Sequence, residues 1–157
     1  MKVKKVKAQF SFDRLYVSPF TRKRGFDEEH LKVIYVPMDI ERLYTGVDVL
    51  DAVVDRLVEG RNPSRLAREW GLSTAQLSIV VLALTGMGLQ ELQSSWRVKL
   101  CDDLLRYTDL SLSDVMHRCG FTSATAFSRF VRLNHGVSPL HFRTTRRQQG
   151  ELGMYAL

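Results

Sequence analysis

Cysteine is nearly absent: Cys101 and Cys119 are the only two in 157 residues, and no Cys-x-x-Cys pair exists. That excludes a zinc ribbon, and His117, two residues before Cys119, does not complete a tetrahedral set. No metal site is expected, and both thiols are expected to be reduced and buried. Long apolar runs are missing too. The longest candidate, Leu77 to Leu84, is far shorter than the roughly 18 residues that span a bilayer. The basic start, MKVKKVKAQF, lacks the apolar stretch and cleavage site of a secretory signal. A cytoplasmic, nucleoid-associated protein with no membrane partner is therefore expected. Catalytic motifs are equally scarce. Gly86-Met87-Gly88 is followed by Leu-Gln-Glu and so fails the dinucleotide pattern. No phosphate loop or nucleophile elbow occurs, and Asp102 and Asp103 are adjacent, pointing in different directions on a helix. Neither catalytic residues nor a cofactor is expected.

Acidic residues are absent from one long stretch. Between Val115 and Gly150 lie Arg118, Arg129, Arg132, Arg143, Arg146 and Arg147 and no Asp or Glu, within a chain of net charge +6. Such local imbalance suits a polyanion. A hydrophobic content of 45% is enough for one ordinary core or two small ones.

One frame occurs twice. SIVVLAL at Ser78 to Leu84 returns as SRFVRLN at Ser128 to Asn134, Gly86 returns as Gly136, and Gly71-Leu72-Ser73 returns as Gly120-Phe121-Thr122. This is a duplicated supersecondary unit. Helical spacing and stop signals place one helix over Val47 to Leu57. A second starts at Asn62-Pro63 and runs to Gly71, and a third runs from the Ser73/Gln76 capping box to Gly86. Leu89 to Tyr107 reads as one connecting helix. Ser111 then caps a short helix, Gly120 turns the chain, Ala124 to Asn134 forms the next helix, and Ser138-Pro139 opens a last one. Two helices around a tight glycine turn make a helix-turn-helix, whose second helix fits the DNA major groove.

The stretch LLRYTDLSLSDVMHRCGFTSATAFSRFVRLNHGVSPLHFR, Leu104 to Arg143, resembles the C-terminal signature of AraC/XylS-type transcription regulators. The matching features are the LL pair, the T-D-L-S and C-G-F turns, F-S-R, G-V-S-P and a terminal aromatic-Arg, with Arg97 fitting the family's linker-helix arginine. The resemblance covers roughly Val47 to Arg147. It implies a bacterial double-stranded DNA-binding regulator, mainly α, in which two helix-turn-helix subdomains joined by a long linker helix enter successive major grooves. The corresponding divisions are 1–45, an N-terminal extension; 46–88, the first subdomain; 89–107, the linker helix; 108–149, the second subdomain; and 150–157, a tail.

Phe127, Phe130 and Val131 share one face of the second recognition helix, leaving Ala124, Thr125, Ser128, Arg129 and Arg132 to read bases. Arg143, Arg146 and Arg147, with Arg65 and Arg68 of the first motif, are candidate phosphate contacts. The first motif departs from the family: Ile79 and Leu82 stand where the second carries Arg129 and Arg132. Ile79, Leu82 and Ala83 are therefore a candidate protein interface, covered by the N-terminal segment, another subunit or RNA polymerase. Ala8 to Val17 and Leu31 to Val36, rich in aromatic and β-branched residues, suggest a small hairpin or two short strands. Lys2, Lys4, Lys5 and Lys7 with Arg22, Lys23 and Arg24 are candidates for a basic arm. The N-terminal segment is too short for an effector-binding barrel, so no small-molecule effector is indicated.

Overall fold

The computed structural model describes residues 7–157. Lys2, Lys4 and Lys5 of the candidate basic arm lie outside the described residues. The elements in order are α1 (Phe12–Leu15), β1 (Arg22–Asp27), β2 (Lys32–Pro37) and α2 (Asp48–Val58). A 3-10 turn (Pro63–Arg65) runs into α3 (Leu66–Glu69), followed by α4 (Thr74–Thr85) and α5 (Leu89–Tyr107). Last come α6 (Leu112–Arg118), α7 (Ala124–His135), α8 (Pro139–Arg146) and β3 (Tyr155–Ala156). The protein is mainly α, with one small antiparallel sheet of order β2-β1-β3.

Local chemistry explains most helix boundaries. The Ser73 side chain accepts from Gln76 N while Gln76 Oε1 accepts from Ser73 N, closing the capping box that starts α4. Ser111, Ser123 and Ser138 cap α6, α7 and α8 in the simpler one-bond form. Gly86 and Gly136 end α4 and α7 with φ of 76° and 73°, left-handed values that favour glycine. The helix expected from Pro63 to Gly71 is broken, a 3-10 turn and one α-turn, with Asn62 Oδ1 accepting from Ser64 N.

The chain forms two compact units. One holds residues up to Val17 with Glu41–Trp96; the other holds Ser18–Ile40 with Arg97–Leu157. In the first, Leu50, Val53, Leu77, Val81, Leu92 and Trp96 are core residues. In the second, Cys101, Leu104, Val115, Phe127, Val131 and Phe142 play that part. Helix α5 contributes to both cores, through Leu92 and Trp96 in one and Cys101 and Leu104 in the other. Both cysteines are free thiols and buried.

The strand expected over Ala8 to Val17 is not formed. Phe12, Leu15 and Tyr16 instead take helical spacing around the single turn α1, and Phe12 and Tyr16 lie 6.4 and 5.0 Å from the Trp96 ring. Packing on that indole outweighs the alternating pattern. The partner of Lys32–Pro37 is Arg22–Asp27, whose charges hide its strand character. That strand is held from its other side, where Arg24 donates to the Gly150 and Leu152 carbonyls and Tyr155–Ala156 pairs as β3.

Candidate nucleic-acid interface

The second motif is built around the turn between α6 and α7. Gly120 takes φ of 83°, and Cys119 N and Gly120 N donate to carbonyls of the last turn of α6. The Arg97 guanidinium on α5 stacks 4.9 Å over the Phe121 ring, which lies 5.6 and 5.0 Å from Phe127 and Phe130 on α7. The turn is thereby fixed from beneath by a cation–π contact and an aromatic cluster. At the other end of α7, His135 Nε2 lies 2.6 Å from Asp102 Oδ1 on α5. Burial raises the Asp102 carboxyl pKa above its ordinary value, and the His135 partner opposes that rise.

With Phe127 and Val131 buried, α7 presents its opposite face outward. A shallow depression there is lined by Ala124, Thr125, Ser128, Arg129, Arg132 and Leu133. All five side chains expected to read bases thus converge on one surface. Leu133 was missed, although its spacing of four from Arg129 puts it on the same face. Arg129 and Arg132 are exposed and have no acidic partner among the described residues.

The basic residues of α8 and its C-cap divide. Arg146 is exposed. Arg143, however, donates from Nε to Leu105 O and from Nη1 to Leu110 O. Arg147 donates from Nε to Arg106 O and from Nη2 to Leu105 O and Thr108 O. Carbonyls at the C-terminus of α5 and in the turn that follows it take up these guanidiniums, so Arg143 and Arg147, both expected at phosphates, also clamp that helix end. Burial lowers the pKa of both, and in Arg143 the neighbouring Arg147 charge adds to it.

In the first motif, Leu77 and Val81 of α4 are buried and Ile79, Leu82 and Ala83 face outward, with Ile79 64% and Leu82 49% exposed. Among the described residues the N-terminal segment does not cover them. Gln9 N and Phe10 N both donate to Leu84 O, at the end of α4 instead. Arg65 and Arg68 are exposed and line a cleft with Ser64, Ser73 and Thr74 beside the N-terminus of α4. Among the described residues no single helix is long and apolar enough to cross a membrane.

Two glycine-turned helical hairpins, each with a capped outward-facing second helix, define a duplicated helix-turn-helix protein. A family model described as a helix-turn-helix domain matches residues 66–145. The chain belongs to the AraC/XylS-type family of transcription regulators. It is 28% identical over 92 residues to the HTH-type transcriptional activator RhaS of Escherichia coli strain K12 / DH10B, covering 59% of this chain and 33% of that protein. The chain thus spans about a third of the length of that relative. Among solved structures, the DNA-binding domain of the global transcriptional factor AdpA, in complex with a target DNA, aligns with TM-score 0.56 and 28% identity. That alignment covers 65% of this chain and 97% of the AdpA domain. The C-terminal domain of AraT, a response regulator from Geobacillus stearothermophilus, shares the fold with TM-score 0.58 at 21% identity, over 69% of this chain and 93% of that one.

Proposed function

We propose that this chain is a sequence-specific regulator that binds double-stranded DNA on the bacterial chromosome, with α7 as the helix that reads the major groove. The observation that carries this reading is the outward face of α7, where Ala124, Thr125, Ser128, Arg129 and Arg132 line one depression and both arginines stand without acidic partners among the described residues. A guanidinium there can bind guanine O6 and N7 together, the hydroxyls suit bases or phosphates, and Ala124 suits a thymine methyl. Arg146, Arg65 and Arg68 supply phosphate contacts, which position the protein without reading sequence. The DNA bound by the AdpA domain, 28% identical to this chain, supports the same ligand here.

The test is electrophoretic mobility against genomic fragments at two salt concentrations. Steep salt dependence with one preferred site of about 20 base pairs is expected. Arg129→Ala should cost roughly 1 to 3 kcal/mol on that site and relax its specificity. No retention at low salt, in either variant or wild type, overturns the reading.

A second reading is favoured by one observation, the exposed apolar face of α4 at Ile79, Leu82 and Ala83. Contiguous exposed apolar surface marks interaction sites. On this reading the first motif meets another regulator subunit or RNA polymerase while the second meets DNA.

A further inference from the structure

We propose that the free edge of β2 is a self-association site, where a second copy of this chain adds its own β2 about a two-fold axis through Ile34. Among the described residues, the order β2-β1-β3 leaves β2 with a neighbour on one side only. Met38 N donates to Thr21 O, one step beyond the Arg22/Pro37 pair. By antiparallel alternation Lys32, Ile34 and Val36 then exchange their backbone bonds with β1, and Val33 and Tyr35 direct N–H and C=O outward. Arg24 N donating to Met154 O on the far side of β1 fits the same alternation.

This edge is bounded and poorly guarded. Leu31, just before it, has φ of 48°, which ends the extended run, and Pro37 at its far end has no N–H to give. Natural edges are blunted by charge, proline or bulges. Between Lys32 and Pro37 there is none of these, and Val33, Tyr35 and Val36 are 58%, 39% and 47% exposed.

Among registers that keep the two sheet faces continuous, a dyad at Ile34 is the one that uses every outward N–H and C=O of Val33 and Tyr35. It sets Val33 opposite Tyr35 of the second copy, and each such pair exchanges two N–H to C=O bonds. A dyad at Tyr35 sets Val33 opposite Pro37, leaving the Val33 carbonyl without a donor. A dyad at Val33 sets Tyr35 opposite Leu31, which is not extended. The side chains agree with the dyad at Ile34. Phe26 and Val33 are direct cross-strand neighbours, Tyr35 of the second copy extends their row, and Ile34 meets its own counterpart at the axis. A second copy therefore matches the edge in length, hydrogen bonds and apolar rows together. Because α7 lies in the same compact unit as the sheet, the dyad also pairs two reading helices symmetrically, an arrangement suited to inverted half-sites. That last consequence rests on the DNA reading; the association does not.

The test uses the full chain without DNA. Sedimentation across micromolar to submillimolar concentration should show mass rising from monomer to dimer. Val33→Lys places a charge on the edge, and Val33→Pro removes an N–H that β1 does not use. Both should stay monomeric with wild-type circular dichroism. Register is read by cross-linking: residues at 34 face each other as a non-hydrogen-bonded pair about 4.5 Å apart at Cα, within disulfide range. Ile34→Cys should therefore form a covalent dimer under mild oxidation, and Val36→Cys should do so far less. A wild type that is monomeric throughout overturns the proposal, as does a dimer that persists in Val33→Lys or an Ile34→Cys variant that fails to cross-link.

Discussion

Arg106 Nη2 lies 2.6 Å from Glu151 Oε1, so the end of α5 holds the segment that leads into β3. Gln148 N donates to the same carboxylate, at 2.8 Å on Oε2. The Arg106 hydrogen bond and then the Gln148 bond hold the Glu151 pKa below its ordinary value. The native state therefore favours ionised Glu151 more than the unfolded chain does. Its contribution is complete above the unfolded value of about 4.3 and is lost as pH falls through the lower native value. Glu151→Gln should cost roughly 1 kcal/mol at pH 7 by loss of a charge-assisted bond. Urea unfolding of both proteins should converge as the pH drops below about 4. A variant equally destabilised at every pH would mean that packing, not charge, is what Glu151 supplies.

The division between Arg147 and Arg146 predicts opposite phenotypes for neighbouring residues. Arg147→Ala strips three backbone carbonyls of a charged donor and should cost roughly 2 kcal/mol of stability. Arg147→Lys should recover little, because one ammonium does not reproduce the guanidinium fork. The salt slope of DNA binding should stay as in wild type for either variant that folds. Arg146→Ala should do the reverse, leaving the thermal midpoint alone and lowering the salt slope by about one. Loss of a unit of slope in the Arg147 variants would return that residue to the phosphates.

What could be read in advance follows from how local each feature is. The Ser73/Gln76 box and the glycines ending α4 and α7 act over a few residues, so their signals lie side by side in the chain. The outward face of α7 was legible because helical period alone separates Phe127 and Val131 from Arg129 and Arg132. The partners of Arg143 and Arg147 were not, since those carbonyls lie 33 to 42 positions away. A run of arginines looks the same in sequence whether it meets phosphate or a helix end. Strand β1, RKRGFD, was hidden for the same reason: tail carbonyls from Gly150 and Leu152 hold a segment with weak strand propensity of its own.

The α4 face offers the sharpest contrast with α7, because both helices share caps and buried positions and differ in what they show outside. Ile79→Lys with Leu82→Lys changes two exposed side chains, so the thermal midpoint should move little. If the apolar face meets a protein, the double variant should lose association with that partner, and pull-down with purified RNA polymerase or a second regulator should weaken. DNA affinity should stay near wild type, since the face would not lie in the groove. The opposite result is equally readable. Two added lysines on a groove-facing helix would tighten non-specific binding and steepen its salt dependence. A variant that gains DNA affinity in that way, with its protein contacts unchanged, would make α4 a groove-facing helix and remove the protein-interface reading.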